Sequence, residues 1–183
     1  MKQSKNGFTI VEMLAVVGVI AVLISIIVTA AAGSTRSSRE KRANAMSYSL
    51  EQGIAAYYAQ EGKWPSLIEN VDSAGKDTVE FEGAKADQIF QEVVCKGFGH
   101  GGRKSMLVDP SALFVCDSSS ADGKNAHGYE FSEVTGKSAK HRIDPRQMAF
   151  GYQESESGRF LRFKVVYNCR TDAVTVEPKF KEN

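Results

Sequence analysis

From Phe8 to Ala32 the chain carries one ionisable side chain, Glu12, and only three other polar ones, Thr9, Ser25 and Thr29. A helical run of about 20 to 25 apolar residues matches the hydrocarbon thickness of a bilayer. Both faces of such a helix are apolar, so no polar stripe is left for water, as a helix at the surface of a soluble domain requires. The run holds fourteen Leu, Ile, Val and Phe residues. At roughly 0.3 to 0.6 kcal/mol each they favour insertion by about 4 to 8 kcal/mol. A carboxylate at the bilayer centre takes back roughly 3 kcal/mol. The segment still inserts, but Glu12 is a cost that packing does not justify. An acid in hydrocarbon is by default a functional group in need of a partner.

The rest of the composition bounds the answer loosely. A length of 183 residues suits one ordinary domain plus an appendage, and 42% apolar content is enough for a core. A net charge of +1 gives no global electrostatic case for nucleic acid. Cys95, Cys116 and Cys169 are too few for a disulfide scaffold and lack zinc-like pairing. They allow one disulfide and a leftover thiol, or three reduced thiols.

Three readings of the first thirty residues compete. In an ordinary secretory signal, Lys2 and Lys5 are the basic region and Ala30 to Ala32 the cleavage site. That leaves Glu12 unexplained, and the run is longer than a usual signal core. A plain membrane anchor treats Glu12 as an accident near the interface. The third reading rests on "GFTIVEML", Gly7 to Leu14. This stretch resembles, position by position, the processing motif of type IV pilins and type II secretion pseudopilins. The short basic leader "MKQSKNG" is similar to the leaders of that family.

The resemblance implies that a membrane-embedded prepilin peptidase cuts between Gly7 and Phe8 and methylates the new amine of Phe8. Glycine before the cut lets a protease approach a backbone that has no Cβ in the way. It also implies that Glu12 pairs with the Phe8 ammonium of a neighbouring subunit. Partners would be the peptidase, like subunits and an inner-membrane assembly platform. The chain would sit in the inner membrane with a periplasmic head, then in a periplasmic or surface filament. One signal opposes that orientation: Arg36, Arg39, Lys41 and Arg42 follow the run. The positive-inside rule would place them in the cytoplasm.

Beyond the run, Ala43, Met46, Leu50, Ile54 and Tyr57 recur at steps of three and four, an amphipathic helical stripe. A single helix from Phe8 to about Gln60 would span roughly 80 Å. Gly33 is a weak point in it. The absence of a proline near Thr29, present in many major pilins, leans towards a pseudopilin or minor pilin. Gly62 is a candidate C-cap and Pro65 forbids continuation. Residues 66–125 read as a loop-rich middle with a short helix around Ile89 to Val94 and a buried strand at Ala112 to Cys116. Strand-like alternation follows at Tyr129 and Phe131, at Met148, Phe150 and Tyr152, along "RFLRFKVVYNC", and at Val174 and Val176. The expected class is α+β: a long N-terminal helix on a small antiparallel head of three or four strands, pilin-like. The expected segments are a leader at 1–7, a membrane and assembly helix at 8–32, its amphipathic continuation at 33–62, and the head at 63–183.

Other motifs fail on context. "GFGHGG", Gly97 to Gly102, is a formal dinucleotide fingerprint with no strand before it or helix after it. "DSSSADGKN" invites a calcium reading through Asp117 and Asp122. The EF-hand spacing nevertheless puts Ser118 at the first ligand position and Tyr129 at the twelfth. No other cofactor is expected. His100, His127 and His141 lack metal-ligand spacing. No nucleophile, base and oxyanion set can be argued, so a structural role is expected rather than an enzyme. In an oxidising compartment Cys116 with Cys169 is the candidate disulfide, with Cys95 as the alternative partner. The rival function is a membrane-anchored or secreted binding protein.

Overall fold

A computed structural model of the chain describes residues 10–72, 75–95, 107–109, 113–123, 126–135, 141–154 and 158–179. The chain divides into two compact units, Met1–Ser38 and Arg39–Asn183. Helix α1 is Ile10–Glu61, continuous through Gly33. Its amphipathic part therefore belongs to the same unit as the head.

In that second unit the predicted stripe is the buried one. Ala43, Met46, Leu50, Ile54 and Tyr57 are each at most 2% exposed and join the main hydrophobic core. The helix stops where glycine permits. Gly62 takes φ +70° and its N–H donates to the Tyr58 carbonyl at 2.8 Å, the left-handed ending that a Cβ would oppose. Pro65 then opens a short helix, α2, Ser66–Glu69.

The remaining elements are β1 (Thr78–Phe81), α3 (Ala84–Cys95), β2 (Phe114–Asp117), β3 (Tyr129–Glu130) and α4 (Phe131–Thr135). A 3-10 turn at Pro145–Gln147 then leads into β4 (Met148–Gln153), β5 (Phe160–Asn168) and β6 (Ala173–Pro178). The strands form one antiparallel sheet in the order β1-β5-β4-β2-β3, with β6 also paired to β5. The architecture is α+β and pilin-like, with more strands than the alternation suggests. Phe163 and Val165 of β5 and Phe150 of β4 pack in the main core with Ile89, Phe90 and Val93 of α3. Residues of opposite parity, Cys116, Ala149 and Phe160, form a smaller cluster with Ala121 and Ala126.

Two carboxylates of α3 fasten the head. Glu92 accepts from the Tyr57 hydroxyl at 2.7 Å, the Ser66 N–H at 2.9 Å and the Ser66 hydroxyl at 3.1 Å. One side chain thus ties the last turns of α1 to the start of α2. Asp87 fills a fork in the sheet. Residues 148–150 of β4 pair with β2, whereas 151–153 pair with β5. Asp87 accepts from the Phe150 N–H at 3.0 Å. Arg162 lies at 3.2 Å from its other oxygen, off the hydrogen-bond direction and therefore an ion contact only. Arg162 donates in turn to the Ser118 carbonyl and pairs with Asp122 at 3.3 Å.

Burial outweighs the Phe150 N–H and the Arg162 charge and pushes the Asp87 carboxyl up to about 6. Because the folded value lies above the unfolded one, folding favours the protonated form. This contribution is complete below pH 4 and is lost as pH rises through 6. The difference amounts to about 3 kcal/mol. Asp87→Asn is a near-isostere of the protonated acid and does not titrate. Its stability relative to wild type is expected to improve by about 3 kcal/mol between pH 4 and pH 7. Urea midpoints at the two pH values check this, and an unchanged difference would refute it.

Several expectations are corrected. Phe131 is the first residue of α4 rather than a strand position. The middle region contains β1 and α2 at positions where a loop is expected. The Cys116–Cys169 disulfide is not formed: both are free thiols. Register explains why. Cys116 pairs with Ala149, and Gly151 two residues on pairs with Arg162. Extended by two residues, that antiparallel register puts position 164 level with Ala149, and Cys169 lies five residues further along, about 17 Å at strand rise, so the two cysteines are well beyond the roughly 7 Å Cα limit for a bridge. The side chain of Cys95 lies outside the described residues, as do "GFGHGG" and His100.

Candidate functional site

Gly7, Phe8 and the bond between them lie outside the described residues. The adjoining part of the motif is the start of α1. Eighteen residues, Ile10–Ile27, are helical, long and apolar enough to cross a bilayer, and none of them is buried. At 1.5 Å per residue they span about 27 Å, close to the hydrocarbon thickness. Large apolar side chains occupy every face: Ile10, Val11, Met13 and Leu14 in the first turn alone are 56% exposed or more. Their exposure is a demand for an apolar surrounding, lipid or the same helix of other copies.

Glu12 lies in the first turn of α1, and its side chain is exposed. Sequence spacing alone does not reveal that placement. Ser25, the other polar side chain in the described span, donates to the Val22 carbonyl at 2.7 Å. Its hydroxyl is therefore satisfied by its own helix and makes no demand on the surroundings. Within Ile10–Ile27 Glu12 is the one ionisable side chain, so it alone distinguishes by charge one position along that apolar surface from another.

The other candidates are not brought together into a site. The Asp117 carboxylate accepts from the Ser119 hydroxyl at 2.6 Å and the Ser119 N–H at 2.9 Å, which hold it below the usual carboxylate range. Asp122 faces Arg162 instead of Asp117. His127 and His141 each pack against the Tyr129 ring, with centroids 5.1 Å away. Among the described residues no group of three or more His, Cys, Asp or Glu is placed to hold a metal ion.

No curated protein matches the chain, and no solved structure does. One family model matches, the prokaryotic N-terminal methylation motif, over residues 2–28. That span contains Gly7, Phe8, Glu12 and most of the exposed apolar helix. The chain thus carries the prepilin-type signature of type IV pilins and pseudopilins.

Proposed function

We propose that the protein is a structural subunit of a type IV pilus-like or type II secretion pseudopilus filament. The single observation that carries this reading is the methylation motif on residues 2–28, continued by a helix whose apolar surface is exposed on all sides. Residues 1–7 are the leader. Prepilin peptidase removes it between Gly7 and Phe8 and methylates the Phe8 amine. Residues 8–32 hold the subunit in the inner membrane, with residues 33–62 continuing the helix and 63–183 forming a periplasmic head. An assembly platform then transfers subunits into the filament, where Glu12 meets the Phe8 ammonium of a neighbour.

The chemistry favours a gauge of register over a source of strength. An unpaired charge in apolar packing is costly, whereas a neutralised pair costs far less. Wrong offsets between subunits leave a bare carboxylate and a bare amine, so the pair selects one offset.

Mass spectrometry of the mature N-terminus tests the reading. The expected product begins at N-methyl-Phe8. A chain beginning at Gly33 would mean ordinary signal peptidase, and an intact Met1 a simple anchor. Either result removes the pilin reading.

A further inference from the structure

We propose that the end of α1 and the β5–β6 turn form a binding pocket for a small organic ammonium group. The cavity there is about 380 Å³, within the roughly 300 to 1,000 Å³ range of small-ligand sites. Three electron-rich rings line it, Tyr58, Trp64 and Tyr167, together with two carboxylates, Glu69 and Asp172. Lys63 is the one basic residue of the lining. An anion would meet two carboxylates, whereas an ammonium meets both charges beside three electron-rich rings.

The rings are held in place before any ligand arrives. Trp64 stacks on Tyr58 with centroids 4.3 Å apart and meets the Tyr167 ring edgewise at 6.2 Å. The Trp64 indole N–H and the Tyr167 hydroxyl both donate to one oxygen of Asp172, at 2.7 and 2.8 Å. Glu69 accepts from the Trp64 backbone N–H at 3.1 Å. Donation to a carboxylate pushes electron density back onto the indole and phenol rings, and a cation is attracted to that density. The hydrogen bond to Asp172, with burial, pushes the Tyr167 phenol up to about 12, so it stays a donor at neutral pH.

Asp172 is itself fixed. It takes φ +51°, the left-handed region, in a turn where Asn168 Oδ1 accepts from the N–H groups of Arg170 and Thr171. A rigid site loses little freedom on binding.

Trp64 is the only tryptophan of the chain, so its fluorescence reports on the pocket alone. The full chain in neutral maltoside micelles is titrated with methylammonium chloride and, separately, with N-acetyl-lysine methylamide. The first stands for a free amine and the second for a lysine side chain of another protein. A saturable change with either, absent with sodium chloride at the same ionic strength, is the expected result, and the tighter of the two identifies the source. Asp172→Asn keeps an acceptor for both rings and suits the left-handed turn. It is expected to weaken binding about tenfold by removing charge alone. Lys63→Ala, which leaves the turn untouched, is expected to tighten it severalfold. A sodium chloride response equal to the amine response, or unaltered binding in both variants, overturns the proposal.

Discussion

Glu12→Ala is expected to leave the chain in the membrane fraction at wild-type level and to abolish its incorporation into filaments. Insertion does not suffer, because removing a carboxylate from an apolar run only relieves a penalty, at most roughly 3 kcal/mol at the bilayer centre. On the pairing proposed above, assembly suffers because the neighbour's Phe8 ammonium then lies in apolar packing without its counter-charge. Breaking a buried pair in this way costs roughly 3 to 5 kcal/mol. At each contact that is a factor of roughly 150 to 4,000 in association, repeated along the filament. Sheared filament yield measured beside membrane-bound subunit separates the two effects. Glu12→Gln, which keeps size and loses charge, is expected to behave like the alanine variant. Wild-type filament yield from either would end the idea that this carboxylate sets the register.

The largest effect on the fold itself is expected from Gly151→Ala. Gly151 is buried in β4 opposite Arg162 of β5. A Cβ there would overlap the Leu161 carbonyl oxygen and come within 2.8 Å of the Phe160 ring. The first obstacle is backbone, so no rotamer change relieves it. The β4–β5 ladder has three registered pairs, Gly151–Arg162, Tyr152–Leu161 and Gln153–Phe160. Opening it at Gly151 would disturb the fork that Asp87 and Arg162 occupy. A destabilisation of about 3 kcal/mol or more follows, near the upper end for added core volume. For a unit of this size that lowers the melting temperature by roughly 6 to 12 °C. Gly158→Ala is the control. It sits at φ +64°, and among the described residues, its chain neighbours aside, no atom comes closer than 3.9 Å to an added Cβ, so left-handed strain of about 1 to 2 kcal/mol is the expected cost. Equal losses in the two variants would show that the close β4–β5 approach is not what Gly151 serves.

Much of this fold was legible wherever a residue's own chemistry decides its place. The stripe Ala43 to Tyr57 repeats often enough to specify a face. Gly62 followed by Pro65 specifies an end, and the alternation from Leu161 to Tyr167 specifies a strand. Short elements were not legible. β1 is four residues of mixed polarity, held by pairing Val79 with Tyr167 and Phe81 with Val165, and nothing local announces that pairing. Phe131 continues an apparent alternation, and its N–H still bonds across to the Leu113 carbonyl, yet the chain turns into α4 at that residue. The cysteines misled for a related reason: apolar strand positions look equivalent until register separates them. Asp87 and Glu92 were invisible as structural fasteners, because on paper each is one more acid on a helix. In the N-terminal segment the sequence showed the acid and its spacing, and the structure added the first-turn placement of Glu12 and the self-satisfied Ser25.

The main core begins at Ala43 and draws no residue from the segment Ile10–Ile27. On the filament reading proposed above, the surroundings of that segment can change while every residue of this core keeps its partners.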